Sequence, residues 1–209
     1  MKIGIIGGGM MGANLGALWA RAGHEILLSS RHPESLESKV REMVGSAHAV
    51  TVEEAMRQGE VIFLAVPFAA VEDLGEAHAA AIEGKVILDA GNVFRQRDGD
   101  LALKIKHDGR GSGRFVADCF PGAMVVKAYN TIFWKTLLME AHRSGEQVGV
   151  PLAADHEEAF AVAEQLVRDS GFEPFRVGGL DQGVLLEPGS EVWNSEFTVA
   201  QIRASLELD

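Results

Sequence analysis

Three glycines near the start of the chain have the spacing and setting to cradle a phosphate. In "GIIGGGMMGANLG", Gly7, Gly9 and Gly12 follow the order G-x-G-x-x-G. The spacing alone is a weak signal, but its place in the chain is specific. It follows the apolar run "KIGIIG" (2–7) at once and opens "MGANLGALWARAG" (11–23), where Leu15, Leu18 and Trp19 share one helical side. In that setting Gly7 permits a tight turn, Gly9 lets a pyrophosphate approach the backbone, and Gly12 lets helix and strand pack closely. Gly8, Met10 and Met11 complete the turn, and the free N–H groups at the helix start offer partial positive charge to an anion. A glycine-rich turn without a ligand shares the pattern, and so does a site for S-adenosylmethionine.

A second cluster narrows the choice. "ILLSSRHPE" (26–34) closes an apolar strand without a carboxylate. An acid there would accept hydrogen bonds from an adenosine ribose and repel a 2′-phosphate. Ser29 and Ser30 offer hydroxyls instead, Arg31 a planar guanidinium and His32 a further donor. Arginine matches phosphate oxygens with two charge-assisted bonds, so this strand end selects NADP over NAD. The competing reading makes Arg31 a solvated residue and the serines turn formers. Glu34 and Glu37 lie near enough to weaken the positive field.

These residues need strands that end side by side. Apolar runs at 2–7, 24–30, 61–67, 85–92 and 124–130 alternate with helical stretches at 11–23, 33–44, 52–59, 68–81 and 131–141. Strands at 146–153 and 173–178 flank a helix at about 155–170. The stretch 93–113 reads as a loop. Strands apolar on both faces, joined by helical crossovers, predict an α/β protein: a Rossmann-like, doubly wound, mainly parallel sheet. No linker stands out, so residues 1–209 are expected to form one domain, with a closing segment at about 179–209. In this topology the carboxyl ends of the strands line the ligand crevice. "AVP" then makes Ala65, Val66 and Pro67 a stiff wall, and "DAGN" places Asn92 to bond a nicotinamide carboxamide or its ribose. "DAGN" is equally a good turn sequence, with Asp89 capping a neighbouring helix.

Composition bounds the rest. The chain is 47% hydrophobic and 23% charged, with a formal charge of −11. That balance disfavours nucleic acid and anionic membranes. There is no apolar run long enough for a membrane span and no secretory leader, so a cytoplasmic location is expected. The single cysteine, Cys119, fits a reducing compartment, and the neighbouring Asp118 disfavours its thiolate. The seven histidines are scattered without metal-ligand spacing, and no G-x-S-x-G elbow occurs.

"IGIIGGGMMGANLGALWARAGHEILLSSR", "VIFLAVP", "KVILDAGN" and "FPGAMVVKAYNTI" together resemble the NADP-dependent reductases of the deazaflavin coenzyme F420. The same fold occurs in the NADPH domain of the six-transmembrane metalloreductases. "LEPGSEVWN" (186–194) resembles the family's closing segment more loosely. The resemblance implies NADP(H) on Gly7, Gly9, Gly12, Ser30 and Arg31, a nicotinamide wall of Val66, Pro67 and Asn92, and coenzyme F420, or FMN or FAD, as the small-molecule electron acceptor. Two departures stand out. Where relatives often carry a third polar or basic group beyond the arginine, Ser35 is the nearest candidate, and Val93 replaces a frequent proline. The cations of 93–114 (Arg95, Arg97, Lys104, Lys106, Arg110 and Arg114) either meet an acidic acceptor tail or belong to a solvated loop.

Hydride transfer between two cofactors asks the protein only to stack rings and exclude water, which suits a chain without a catalytic dyad. A reductase of small carbonyls or imines and a non-catalytic NADP(H) sensor are the alternatives. Phe133, Trp134, Trp193 and Phe197 are expected to form an apolar face, either as core or as the interface of a homodimer.

Overall fold

A computed structural model describes residues 1–208. The chain runs β1 (Lys2–Ile6), α1 (Met10–Arg21), β2 (Glu25–Ser29), α2 (Glu37–Glu42), β3 (Ser46–Val50), α3 (Val52–Gln58), β4 (Val61–Leu64), α4 (Val71–His78) and β5 (Val86–Asp89). It continues through α5 (Arg95–Asp108), α6 (Gly111–Cys119), β6 (Met124–Lys127), α7 (Trp134–Glu140), β7 (Gly149–Ala154), α8 (Glu157–Asp169), β8 (Glu173–Gly178) and α9 (Val199–Ser205). Short 3-10 turns occupy Pro33–Leu36, Phe68–Ala70, Ala79–Ala81 and Leu180–Leu186.

One eight-stranded sheet has the order β3-β2-β1-β4-β5-β6-β7-β8. Its first six strands are parallel, in the order of the dinucleotide-binding α/β fold. β7 turns back antiparallel to β6, and β8 runs parallel to β7. Strands buried on both faces explain the unbroken apolar runs of β1, β4 and β5. On one face Leu15, Trp19, Phe63, Tyr129 and Leu166 pack together; on the other Met56, Ile62, Phe68, Ile87 and Val116 do. Trp19, Phe63 and Tyr129 meet edge to face, with ring centres 5.2 to 5.9 Å apart. The Trp19 and Tyr129 polar tips both donate to the Leu166 carbonyl, so this aromatic cluster buries no orphan donor.

In its secondary structure the protein departs from the sequence reading in two places. β3 was not expected. Its residues, SAHAV, are small and half exposed at the sheet edge, so they carry little apolar signal. The segment 93–113 is not a loop but two helices, α5 and the start of α6. Gly99 (φ +52°) kinks α5, and Gly109 (φ +74°) ends it in the left-handed conformation that favours glycine.

Candidate functional site

Strand register sets the site. Ile6 pairs with Leu64, Leu64 with Asp89, and Asp89 with Lys127. Four parallel strands therefore end in one row. The glycine turn, Ala65–Pro67, Ala90–Asn92 and Ala128–Asn130 emerge beside one another at the carboxyl edge.

Each glycine of the turn has its own reason to lack a side chain. Gly7 sits at φ +112°, and a Cβ there would collide with the Ala65 carbonyl. A Cβ on Gly8 would strike Leu36, and one on Gly12 would strike the Gly7 carbonyl and approach Ile5 to 2.9 Å. Gly9 differs: a Cβ there would meet nothing within 4 Å. The packed glycines shape the turn, and the open one leaves approach to the backbone clear. Gly9 also caps α1, without a side-chain partner and with no acid in the helix's first turn. The N–H groups of Met10 and Met11 thus begin a twelve-residue helix whose positive end is uncompensated. Met10 is exposed, and Met11 is partly buried beside the turn.

At the end of β2 the four polar residues divide. Ser29 is fully buried, and its Oγ donates to the Ile5 carbonyl at 2.7 Å. Its hydroxyl serves the sheet, which corrects the expectation that it faces a ligand. Ser30 accepts from the His32 N–H at 2.9 Å, and the Ser35 hydroxyl donates to the His32 carbonyl at 2.6 Å. Both serines thus shape the turn around Arg31. Arg31 is exposed, and among the described residues no acid pairs with it. The neighbouring acids are engaged elsewhere: Glu34 lies 3.4 Å from His32 and Glu37 3.3 Å from Arg41. Sequence reading missed Lys39. Its ammonium donates to the Gly8 carbonyl at 2.6 Å, bringing a second cation to the glycine turn. A lysine on a short exposed helix gives no local signal of such a reach.

Beyond the turn, Met11, Ala65, Val66, Gly91, Asn92, Phe94, Arg97, Asn130, Ile132, Phe133, Trp134, Trp193 and Asn194 line a cavity of about 390 Å³. Pro67, next in the chain, is exposed and leads into the Phe68–Ala70 turn, and it is not among the lining residues. The Asn92 amide is already used, donating to the Asn130 carbonyl at 2.8 Å and accepting from Asn130 Nδ2 at 3.3 Å. Aromatic rings form the far side: Phe94 meets Trp193 at 6.0 Å and Phe133 meets Trp134 at 5.4 Å, centre to centre. Phe197 is not among them; it packs with Val192 and Ile202 within the closing segment, beside Ala153 and Phe175 of the sheet.

Arg97 anchors this wall. Its guanidinium holds the Asp98 carboxylate at 2.9 Å and the Asn92 carbonyl, and it lies 5.1 Å from the centre of the Phe94 ring. Burial opposes the charge on Asp98. The hydrogen bonds from Arg97 and the Phe94 N–H outweigh it and hold the carboxyl below its usual range. The other cations of the segment lie on the two helices, except Arg110, which sits in the bend between them. Lys104 pairs with Glu72, Arg110 with Asp108 and Asp118, and Arg114 with Asp155 and Asp181. Arg95 and Lys106 make no such pair among the described residues; they border a separate cavity of about 430 Å³ between α5 and Val184–Pro188. Asp89 does not cap a helix; it forms a buried ion pair with Lys127. No group of histidine, cysteine or acidic side chains that could hold a metal occurs among the described residues. No described helix is long and apolar enough to cross a membrane.

Sheet order and glycine turn together define a dinucleotide-fold protein. Residues 2–93 match the family model described as "NADP oxidoreductase coenzyme F420-dependent". The F420-dependent NADP reductase of Methanothermobacter marburgensis is 30% identical over 202 residues, covering 90% of this chain and 88% of that one. A hypothetical protein from Sinorhizobium meliloti superposes with a TM-score of 0.80 at 26% identity, covering 95% of each chain. A crystal structure from Arthrobacter sp. FB24 gives 0.72 at 20% identity, over 88% of this chain and 87% of that one, and bears on the fold alone. The chain belongs to the F420-dependent NADP reductase family, and it is an oxidoreductase.

Proposed function

We propose that this protein binds NADPH along the carboxyl edge of its sheet and passes hydride to a deazaflavin of the F420 type. The observation that carries the reading is Arg31: an exposed guanidinium, free of acidic partners among the described residues, at the end of the strand beside an uncompensated helix start. The residues fit the dinucleotide. Gly7, Gly8, Gly9, Met10, Met11 and Gly12 take the pyrophosphate. Ser30, Arg31, His32 and Ser35 take the adenosine 2′-phosphate, and Lys39 adds charge from the side. Ala65, Val66, Pro67 and Asn92 bound the nicotinamide end.

Bound NADPH supplies the hydride; the chain's own work is orientation and exclusion of water. Val66, Ile132 and the four rings of Phe94, Phe133, Trp134 and Trp193 offer apolar, aromatic surfaces to a planar acceptor. No side chain there is placed to exchange a proton, so catalysis is assigned to positioning rather than to an acid–base pair. FMN and FAD are planar acceptors of the same kind and serve as comparison substrates.

The acceptor cavity lies beside an apolar surface. Phe133, Leu138 and Met139 are exposed next to its aromatic wall. A second copy of the chain covering this face would roof the cavity, so the reading includes a homodimer working in the cytoplasm. Light scattering at micromolar concentration is expected to give twice the chain mass; a monomer mass removes the dimer from the account. The function itself is tested by titrating NADPH and NADH, then following oxidation of NADPH with F420, FMN and FAD. Selective NADPH binding and rapid F420 reduction are expected. Binding without oxidation by any acceptor would contradict the enzyme reading.

A further inference from the structure

Lys127 is the least expected residue of the sheet. It ends β6 with no solvent exposure, among aliphatic neighbours. Its ammonium lies 2.8 Å from Asp89 Oδ2 and also donates to the Gly91 carbonyl. Asp89 Oδ1 in turn accepts from the Gly91 N–H at 2.7 Å. Gly91 is therefore held by both of its backbone groups, one to each member of the ion pair. The lysine stem packs beside two other glycines: a Cβ on Gly113 of α6 or on Gly183 of the Leu180–Leu186 turn would stand in ordinary contact with it at 3.6 Å.

Stability alone does not explain the pair. Removing two charges from water costs several kcal/mol per ion, and well-packed apolar residues commonly serve such a place as well or better. What an apolar pair would lack is a grip on Gly91. That residue precedes Asn92, whose amide and carbonyl are locked by Asn130 and Arg97 at the edge of the cavity.

We propose that Lys127 is a positioning residue: with Asp89 it clamps Gly91 and so fixes the Ala90–Asn92 turn against the nicotinamide end of the site. The inference rests on the proposed NADPH function. The clamp acts on the hydride-transferring end of the dinucleotide and leaves the adenosine end, at Arg31 and the glycine turn, untouched.

The test compares wild type with the double variant Lys127→Met/Asp89→Asn, which removes both charges yet keeps an acceptor for the Gly91 N–H. Three quantities are read: affinity for 2′,5′-ADP, which reports the adenosine end alone; the fluorescence of bound NADPH, which reports the nicotinamide surroundings without any acceptor; and the single-turnover rate of hydride transfer. A displaced turn is expected to leave 2′,5′-ADP affinity unchanged, shift the NADPH emission, and slow hydride transfer by about tenfold or more. A folded variant with wild-type emission and wild-type transfer overturns the proposal.

Should the double variant not fold, Gly91→Ala carries the same test. Its Cβ would press on Asp89 Oδ1 at 2.8 Å and on the Phe68 ring at 3.0 Å, forcing Gly91 away from the Asp89 side of the clamp. The same signature supports the clamp, and wild-type behaviour refutes it. Wild-type protein that binds no NADPH would bring down the proposed function and this inference together. Wild-type binding and turnover, with variants that match it, would remove this inference only.

Discussion

Asn92 and Asn130, 38 residues apart, close on each other at the carboxyl edge of the sheet. The Asn92 amide donates to the Asn130 carbonyl at 2.8 Å, and Asn130 Nδ2 reaches Asn92 Oδ1 at 3.3 Å and the Leu186 carbonyl at 2.6 Å. One buried amide thus joins the β5 turn, the β6 turn and the closing segment. Asn130→Leu leaves the Leu186 carbonyl without that donor, and an unmet buried acceptor costs about 1–3 kcal/mol. A matching fall in the denaturant midpoint, with an unchanged slope, is expected. A loss too small to resolve would show that this amide does not carry the junction.

The glycines of the turn separate folding from binding. Gly12→Ala forces a methyl against the Gly7 carbonyl and Ile5, an overpacking that costs about 1–3 kcal/mol and disturbs the turn. Gly9→Ala meets open space at a φ of −70° that alanine adopts freely, so the fold is expected to lose little. Its methyl occupies the approach to the helix start instead. Thermal melts and NADPH titrations should therefore diverge: Gly12→Ala lowers both stability and affinity, and Gly9→Ala lowers affinity alone. Undiminished NADPH binding by Gly9→Ala would place the pyrophosphate elsewhere.

Cys119 is predicted to be inert. Burial pushes its thiol up from 9.0 to about 11, and the charges of Glu72, Asp118 and Glu76 add to the effect against the opposing Lys104. Its folded value lies above the unfolded one, so the stability linked to this group is complete below pH 9 and fades as pH rises towards 11. Alkylation of native protein should be slow at neutral pH and accelerate only in that alkaline window. Fast labelling at neutral pH would contradict the burial argument.

Much of this was legible in the residues. The glycine turn and the unbroken apolar strands predict a doubly wound, mainly parallel sheet, because only burial on both faces makes such runs favourable. An acid-free end to β2 with an exposed Arg31 was legible as well, since that is a local fact. The rest depends on partners distant in sequence. Ser29 looks like a ligand donor until Ile5 is seen to claim its hydroxyl. Lys127 in an apolar strand has no local explanation, because its counter-charge, Asp89, comes from the neighbouring strand. The helices of 95–119 were hidden by Gly99, Gly109 and Gly111, and by charges that spend themselves on ion pairs within the protein. Lys39 reaches the Gly8 carbonyl only because the Pro33–Leu36 turn swings α2 back over the glycines.

The central claim is that a guanidinium at the end of β2 selects the phosphorylated nucleotide. Calorimetric titration of NADPH and NADH into wild type and Arg31→Asp tests it most directly. The account predicts a loss of about tenfold or more in NADPH affinity with NADH affinity spared. An equal loss for both nucleotides, or none for either, would contradict it.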